Sequence, residues 1–450
     1  MKWIVKDKSF YKTILMLALP MALQNILSMG VGLSDNIMVG QLGEASVAGI
    51  LAANQVQNIL TFLVIGVSSS LVVLASQYWG KGDTESVKAI AAIGIKIAVC
   101  LGLLVSITTI IFPTQVLRIF TNAPGAIEEG ARYIRILAFS YGFFCLTQTL
   151  MGTMRCVEVV KIGVVVSLST LIIAVTGNYL LIFGNFGFPE LGVQGAAVAT
   201  LAARVMETVI MVVYVRFIDK RLKIRFMELL KTNTQLLKDF FRYGLPVMGG
   251  DLSWGIIGAT KVAVVGRLGE SAMAANSVAA MLFGIITIVV WSTSGASGVT
   301  IGKTVGSGDY EKVKQYAKTL QVIFVCLGIV AGISLFSLRT AFLSIYDFGY
   351  ETQVLAMQFM TILSFSVVFT SYHAPCFTGI IRAGGDTRFV FIVDGTISWL
   401  LVLPMTFLAA FVFHAPPWVV FLCIFSDQFY KWIIAAIKVN RFRWIKNLTR

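Results

Sequence analysis

Long, predominantly apolar runs without charged residues dominate the pattern of hydrophobic and polar positions along the chain. Ile97–Phe112 and Leu320–Phe336 are two examples. A helix needs roughly 20 such residues to cross a bilayer, whereas strands of a membrane barrel alternate apolar and polar positions over about ten residues. The pattern therefore predicts an all-α membrane protein with twelve transmembrane helices. Their centres lie near residues 25, 62, 100, 144, 173, 205, 257, 286, 326, 366, 400 and 430.

The second half of the chain repeats the first. A shift of 226 residues aligns Leu19-Pro20 with Leu245-Pro246 and Val39–Glu44 with Val265–Glu270, and a slip of one further residue aligns Arg155 with Arg382. The repeat predicts two pseudo-symmetric six-helix lobes, 1–218 and 241–450, joined by a basic cytoplasmic linker at 219–240. Because each lobe has an even number of spans, we expect a parallel repeat about an axis along the membrane normal. Such a duplication favours a transporter over a channel or an enzyme.

Composition and charge agree with the membrane assignment. Charged residues make up 13% of the 450 positions, against about 25% in soluble domains. The net charge of +14 does not indicate nucleic-acid binding, because most Lys and Arg residues, Lys2 and Arg450 included, lie in the termini, the linker and the other segments on the same side of the membrane. This asymmetry predicts a multi-pass plasma-membrane protein with both termini in the cytoplasm.

The sequence offers no catalytic or metal-binding pattern. Gly298–Thr304 resembles a P-loop, but three residues separate its glycines where four are required, and no strand precedes it. The six cysteines are scattered and there are two histidines, His373 and His414. We therefore expect no enzyme activity, no metal and no cofactor other than a coupling ion.

Three segments resemble the multidrug and toxic compound extrusion (MATE) family. They are Pro20–Asn25, Asp35–Gly43 and Arg382–Arg388. The resemblance implies a V-shaped, two-lobed fold that exports drugs or amphipathic metabolites in exchange for H⁺ or Na⁺. We expect a monomer in the lipid bilayer that acts on a small-molecule substrate. A flippase for lipid-linked or anionic substrates and a passive channel are the alternative functions.

Asp35 is the first candidate site residue because it lies inside the first predicted span. An ionisable group at this depth costs about 2.5–3.5 kcal/mol on insertion scales, and burial disfavours its charged form, so it can bind and release a proton. The alternative is a paired or hydrated carboxylate near the outer surface. The family resemblance implies a cation site in which Asn178 and Thr200 lie beside Asp35. In Na⁺-binding members the position of Asn178 resembles an acid and that of Ala174 an asparagine, so their absence here favours H⁺ coupling.

Three residues of the second half are candidates for the substrate cavity: Lys261, Asp251 and His373. The repeat places Lys261 opposite Asp35; its amine could snorkel to the outer surface, pair with a carboxylate or contact an anionic substrate. Asp251 could cap its helix or face the inner cavity. His373 could titrate near neutral pH or be a satisfied histidine in a helix kinked at Pro375.

Two further charged pairs have helical spacing. Arg204 and Glu207 are three residues apart and are predicted to form a local ion pair. Asp427 and Lys431 are four residues apart. We interpret this second pair as a helix-surface pair without a functional role.

Overall fold

The computed structural model of the chain describes residues 4–231 and 233–449, without the side chains of Phe226 and Leu230. Lys2 and Arg450 of the predicted basic termini lie outside these residues. The described residues form helices and turns, with no β-strand among them. In the order of the chain the helices are α1 Lys8–Val39, α2 Glu44–Lys81, α3 Thr84–Ile111, α4 Pro113–Arg118, α5 Pro124–Leu137, α6 Ser140–Cys156, α7 Lys161–Leu181, α8 Val193–Val213, α9 Phe226–Leu230, α10 Thr234–Gly266, α11 Glu270–Gly306, α12 Tyr310–Leu343, α13 Tyr350–Pro375, α14 Thr387–Thr396, α15 Leu403–Phe407, α16 Pro417–Ile424 and α17 Asp427–Asn440.

The helices account for the predicted membrane spans. Among the described residues, ten helical segments are long and apolar enough to cross a bilayer, and the pair α5 and α6, bent by 54°, makes an eleventh span. Helix α10 has 33 residues but is less apolar, because it carries Asp251, Lys261 and several glycines. It begins at Thr234, inside the predicted linker. Each predicted centre falls within a helix, so the all-α membrane fold is confirmed.

Two π-helical turns of the late helices lie beside prolines. Proline lacks the amide proton and its ring collides with the carbonyl one turn earlier, and π-helical turns are rare interruptions of α-helices. One such turn, Cys376–Arg382, directly follows Pro375, and another, Ile397–Val402, precedes Pro404. These turns extend α13 and α14 without ending the spans.

Contacts divide the chain into two compact units. Unit 1 comprises the described residues of Met1–Ala22 together with Ser76–Gly82 and Leu245–Arg450; unit 2 comprises Leu23–Ala75 and Asp83–Gly244. Helices α1 and α2 thus contribute to both units. Each unit has its own core of large, fully buried side chains: Leu60, Leu71, Ile90, Leu117 and Tyr141 in unit 2, and Phe324, Phe359, Phe421 and Trp444 in unit 1.

Within unit 1 the last turn of α2 packs backbone to backbone on the last turn of α11. A Cβ on Gly80 would overlap the carbonyl of Lys303, and a Cβ on Gly306 would overlap the carbonyl of Gln77. The 226-residue shift relates Gly80 to Gly306 and Gln77 to Lys303. The repeat therefore builds a crossing with local two-fold symmetry, and small residues permit the close approach.

The C-terminal segment of unit 1 continues past α17 and packs beneath the turn at 382–387. The Trp444 ring is fully buried, and its Nε1 donates to the carbonyl of Val439 at 2.9 Å. The amide of Lys446 donates to the carbonyl of Gly384 at 2.8 Å, and that of Leu448 donates to Oε1 of Gln77 at 2.8 Å. The segment after α17 is therefore hydrogen-bonded both to the crossing of α2 and α11 and to the turn at 382–387.

Candidate functional site

Unit 2 brings Asp35 of α1 and Asn178 of α7 into direct contact. Asn178 Nδ2 donates a hydrogen bond to Asp35 Oδ1 at 2.6 Å. Asn178 is buried, with 1% of its surface exposed, and Asp35 is partly buried. The remaining oxygen of the amide, Asn178 Oδ1, is buried and receives no hydrogen bond from the described residues. The sequence-predicted pair is therefore assembled, with one oxygen left over.

Thr200 of α8 reaches this site through an intermediary. Its hydroxyl donates to the carbonyl of Ala196 at 3.0 Å and is also hydrogen-bonded to the side chain of Tyr133. The buried Tyr133 lies within electrostatic range of Asp35. Sequence reasoning missed Tyr133, because α5 has an amphipathic, only partly apolar sequence that resembles a surface connection.

Arg204 of α8 forms the predicted pair with Glu207. Arg204 Nη1 lies 3.1 and 3.0 Å from the two carboxylate oxygens, and Glu207 also accepts a hydrogen bond from the Thr170 hydroxyl at 2.6 Å. The guanidinium stacks over the Phe144 ring at 4.7 Å and also attracts Asp35. Since Glu207 already balances Arg204, an ionised Asp35 gives this network one excess negative charge. A bound cation would cancel that charge.

In unit 1 four charged side chains meet, which we name the unit 1 quartet: Lys261, Asp394, Asp427 and Lys431. Lys431 Nζ lies 2.8 Å from Asp427 Oδ2 and 2.7 Å from Asp394 Oδ1, and donates to the Ser398 hydroxyl at 3.0 Å. Lys261 Nζ lies 3.7 Å from Asp427 Oδ1. The quartet joins α10, α14 and α17.

The interpretation of Asp427 and Lys431 as a surface pair was wrong. They are 5% and 2% exposed, because α17 turns this face toward α14 and α10. The i, i+4 spacing alone cannot distinguish a surface pair from a buried one. The presence of further ionisable residues in neighbouring spans was the sequence signal for burial.

The three predicted cavity residues separate into two places. His373 of α13 lies within electrostatic range of Lys431 and Asp427, as Lys261 does, and its Nδ1 is 3.1 Å from the carbonyl of Phe369. Asp251 instead accepts a hydrogen bond from Arg382 at 2.7 Å, and its other oxygen is buried without a partner among the described residues. Lys261 and His373 therefore share one site, and Asp251 belongs to another.

Among the described residues, no group of three or more His, Cys, Asp or Glu side chains could hold a metal ion. The polar groups of both units are carboxylates, amides, hydroxyls and cationic side chains. These groups can exchange protons and bind charged or polar ligands.

Comparison with known proteins agrees with these features. The MatE family model matches residues 20–180 and 246–408. A probable multidrug resistance protein, NorM, of Agrobacterium fabrum is 24% identical over 72% of this chain and 70% of its own length. An uncharacterised transporter, YisQ, of Bacillus subtilis is 24% identical over 98% of this chain and 96% of its own.

Two solved structures share the fold. An aspartate-to-asparagine mutant of the Vibrio cholerae MATE transporter VcmN superposes with a TM-score of 0.88 at 16% identity, covering 98% of both chains. A transporter from Pyrococcus furiosus superposes with a TM-score of 0.85 at 18% identity, covering 98% of this chain and 97% of that chain. The chain therefore belongs to the MatE family and is a multi-pass membrane transporter, not an enzyme.

Proposed function

We propose that this protein is a secondary antiporter that exports drugs or amphipathic metabolites in exchange for H⁺. It works by alternating access in the plasma membrane with both termini in the cytoplasm, and it needs no cofactor beyond the coupling ion. Membership in the MatE family supports export, and the match to a probable multidrug resistance protein supports small organic substrates. The basic termini and linker support the orientation.

The contact of Asp35 with Asn178 is the observation that carries H⁺ coupling. Asp35 is the member of the unit 2 network whose charge is left unbalanced once Arg204 pairs with Glu207. Leaving an unbalanced charge out of water is costly. Protonation of Asp35 removes the charge with no further ligand, so one carboxylate suffices to carry the coupling ion.

Asn178 suits both states of this carboxyl group. An amide has two N–H donors and a carbonyl acceptor. Its Nδ2 donates to the ionised carboxylate, and after protonation of Asp35 the amide oxygen can accept a hydrogen bond from the carboxyl O–H group. An acid at this position would repel Asp35 when both were ionised. Asn178 can therefore form a hydrogen bond with Asp35 both before and after Asp35 takes up a proton.

Na⁺ is the second candidate coupling ion, and the unpartnered Asn178 Oδ1 favours it. Hard cations take several oxygen ligands, and here a buried amide oxygen lies on the same side chain that contacts Asp35. Ala174, one turn earlier on α7, supplies no side-chain oxygen. The described residues around Asp35 therefore offer fewer oxygen ligands than Na⁺ takes, whereas a proton needs only the carboxylate of Asp35.

The test is transport by purified protein in liposomes. A fluorescent cationic dye is followed under a pH gradient without sodium, and separately under a sodium gradient at equal pH. We expect the pH gradient to drive dye movement in the wild type and Asp35→Asn to abolish it. The matched control, Asp347→Asn, makes the same chemical change in an exposed turn and should leave transport unchanged.

Other outcomes redirect the function. Dye movement that requires sodium would replace H⁺ by Na⁺ as the coupling ion. Unchanged transport in Asp35→Asn would remove Asp35 from the coupling mechanism. Failure of both gradients, with folded protein, would favour the flippase for lipid-linked or anionic substrates.

A further inference from the structure

The two halves of the chain place charged side chains at equivalent positions, and at one of these positions the charges have opposite signs. The 226-residue shift pairs Asp35 with Lys261. The one-residue slip that pairs Arg155 with Arg382 also pairs Thr200 with Asp427 and Arg204 with Lys431. The unit 1 quartet thus occupies the repeat-equivalent position of the Asp35 network, with a cation where unit 2 has its coupling carboxylate.

We propose that the unit 1 quartet is a cation-binding site whose cation is built in: the ammonium group of Lys261 occupies the place that a monovalent coupling ion, H⁺ or Na⁺, would otherwise fill. The transporter then binds its coupling ion in unit 2 alone. The assignment of a coupling ion to unit 2 rests on the function proposed above, whereas the built-in cation of the quartet does not.

The charges of the quartet support a filled site. Two lysines balance two aspartates, so the group is neutral, whereas the unit 2 network has one excess negative charge when Asp35 is ionised. Lys431 is fully engaged, because its ammonium group has three donors and three oxygen partners within 3.0 Å: Asp427 Oδ2, Asp394 Oδ1 and the Ser398 hydroxyl. Lys431 therefore serves as the fixed cation of the site.

Lys261 is held more loosely than Lys431. Its Nζ lies 3.7 Å from Asp427 Oδ1 and 5.6 Å from the centre of the Phe425 ring. Its side chain is 17% exposed, against 3% for Lys431. Asp427 Oδ1 also accepts a hydrogen bond from Gln428 at 2.9 Å. The ammonium group of Lys261 therefore lies near Asp427 Oδ1 in the way that a weakly held monovalent cation would.

Removal of the Lys261 ammonium would leave a site with one excess negative charge. The groups that face position 261 of α10 come from three other helices. They are Asp394 and Ser398 from α14 and its π-helical extension, Asp427 and Lys431 from α17, and His373 from α13. Carboxylate and hydroxyl oxygens are ligands for Na⁺, and His373 and the two carboxylates can take up a proton. We expect the emptied site to recruit one of these ions.

The test uses thermal unfolding in detergent, which is independent of transport. All variants carry Asp35→Asn, so that any ion binding at Asp35 is removed. The midpoint is compared in sodium chloride and in N-methylglucamine chloride of equal ionic strength, at neutral pH and at mildly acidic pH. An ion that binds only the folded state raises the midpoint.

We expect D35N to be insensitive to Na⁺ and to mild acid, and D35N/K261M to gain several degrees from one of them. Addition of Asp427→Asn to the double variant should restore the insensitivity. Equal responses of D35N and D35N/K261M would overturn the proposal. If D35N/K261M does not fold, the comparison becomes D35N/D427N with D35N/K261M/D427N. The neutral triple variant must then be the more stable of the two, and the reverse order would overturn the proposal.

Because Asp35 is absent from every variant, this result does not depend on whether the protein exports its substrate with H⁺. If the unfolding experiment supports the built-in cation but dye transport fails, the proposed function alone is refuted. Successful H⁺ coupling in the wild type, with no gain of ion binding in D35N/K261M, would refute the built-in cation alone.

Discussion

The unit 2 carboxylates Asp35 and Glu207 differ in the side chains that surround them. Glu207 is also buried in unit 2, but both of its carboxylate oxygens contact Arg204, and it accepts a further hydrogen bond from the Thr170 hydroxyl. Asp35 accepts a hydrogen bond from one neutral donor, Asn178, and is attracted electrostatically by Arg204 at longer range. In the proposed function, Asp35 rather than Glu207 is therefore the carboxylate that binds and releases the ion during transport.

Asp386, at the turn before α14, provides a pH-dependent test of the C-terminal packing. Burial alone would raise the pKa of Asp386, but hydrogen bonds from the ammonium groups of Lys438 and Lys446, both at 2.8 Å, outweigh burial and hold the pKa below the ordinary aspartate value of 3.8. A lowered pKa in the folded state stabilises the protein above pH 3.8. That contribution is lost as the pH falls through the lowered value.

We therefore predict that Asp386→Asn lowers the free energy of unfolding at pH 7 by about 1.5–3 kcal/mol, the range for hydrogen bonds to charged groups. The difference from wild type should narrow as the pH falls below 3.8. Thermal unfolding in detergent across this pH range is the measurement. A difference that stays constant or widens in acid would contradict the assigned ion pairs.

Individual residues were predictable where a charge violated the apolar pattern. Asp35 and Asn178 meet as expected, and Arg204 pairs with Glu207, because each polar side chain in a span must find a partner and the nearest one was visible in the sequence or implied by the family. Tyr133 could not be predicted, and the spacing of Asp427 and Lys431 did not by itself reveal their burial. Their roles depend on which face of α5 and α17 turns inward, and helical spacing leaves that face undetermined.

Among the helices, the crossing of α2 and α11 sets the strictest limit on side-chain size. Gly306 has the backbone of Gln77 where a Cβ would lie, whereas Gly284, earlier in the same helix, has no atom within 4 Å of that place. Alanine at an open helical position is more favourable than glycine by about 0.5–1 kcal/mol. At a filled position the added methyl group forces the backbones apart.

We predict opposite effects of the same substitution at these two sites of α11. Gly306→Ala should destabilise the protein by about 1–3 kcal/mol, as overpacking does, whereas Gly284→Ala should leave the stability unchanged or raise it slightly. Thermal unfolding midpoints of the two variants in one detergent provide the comparison. Equal midpoints, or a more stable Gly306→Ala protein, would contradict the close crossing.

Helix positions were more predictable than helix ends. Apolar length sets the spans, so every predicted centre falls in a helix. The bend between α5 and α6, the π-helical turns near Pro375 and Pro404, and the early start of α10 at Thr234 were not predictable. They depend on local packing and on where a proline's unsatisfied carbonyl finds a donor, and neither changes the hydropathy of the segment.

At the scale of the whole molecule, the proposed single coupling site limits the energy available for export. One H⁺ crossing a gradient of one pH unit provides about 1.4 kcal/mol, or tenfold accumulation. One charge crossing 100 mV provides about 2.3 kcal/mol, roughly fifty-fold. Exchange of one H⁺ for one monovalent cation moves no net charge, so the pH difference alone would then drive export.

The most direct measurement uses the substrate gradient to drive the exchange and follows the proton. Liposomes containing the protein are loaded with a monovalent organic cation and an internal pH indicator, and the voltage is held at zero with valinomycin and equal potassium on both sides. We predict that the outward substrate gradient draws H⁺ inward and acidifies the interior, and that Asp35→Asn abolishes this acidification while Asp347→Asn retains it. Substrate release without acidification in the wild type, or equal acidification in Asp35→Asn, would contradict H⁺ exchange through Asp35.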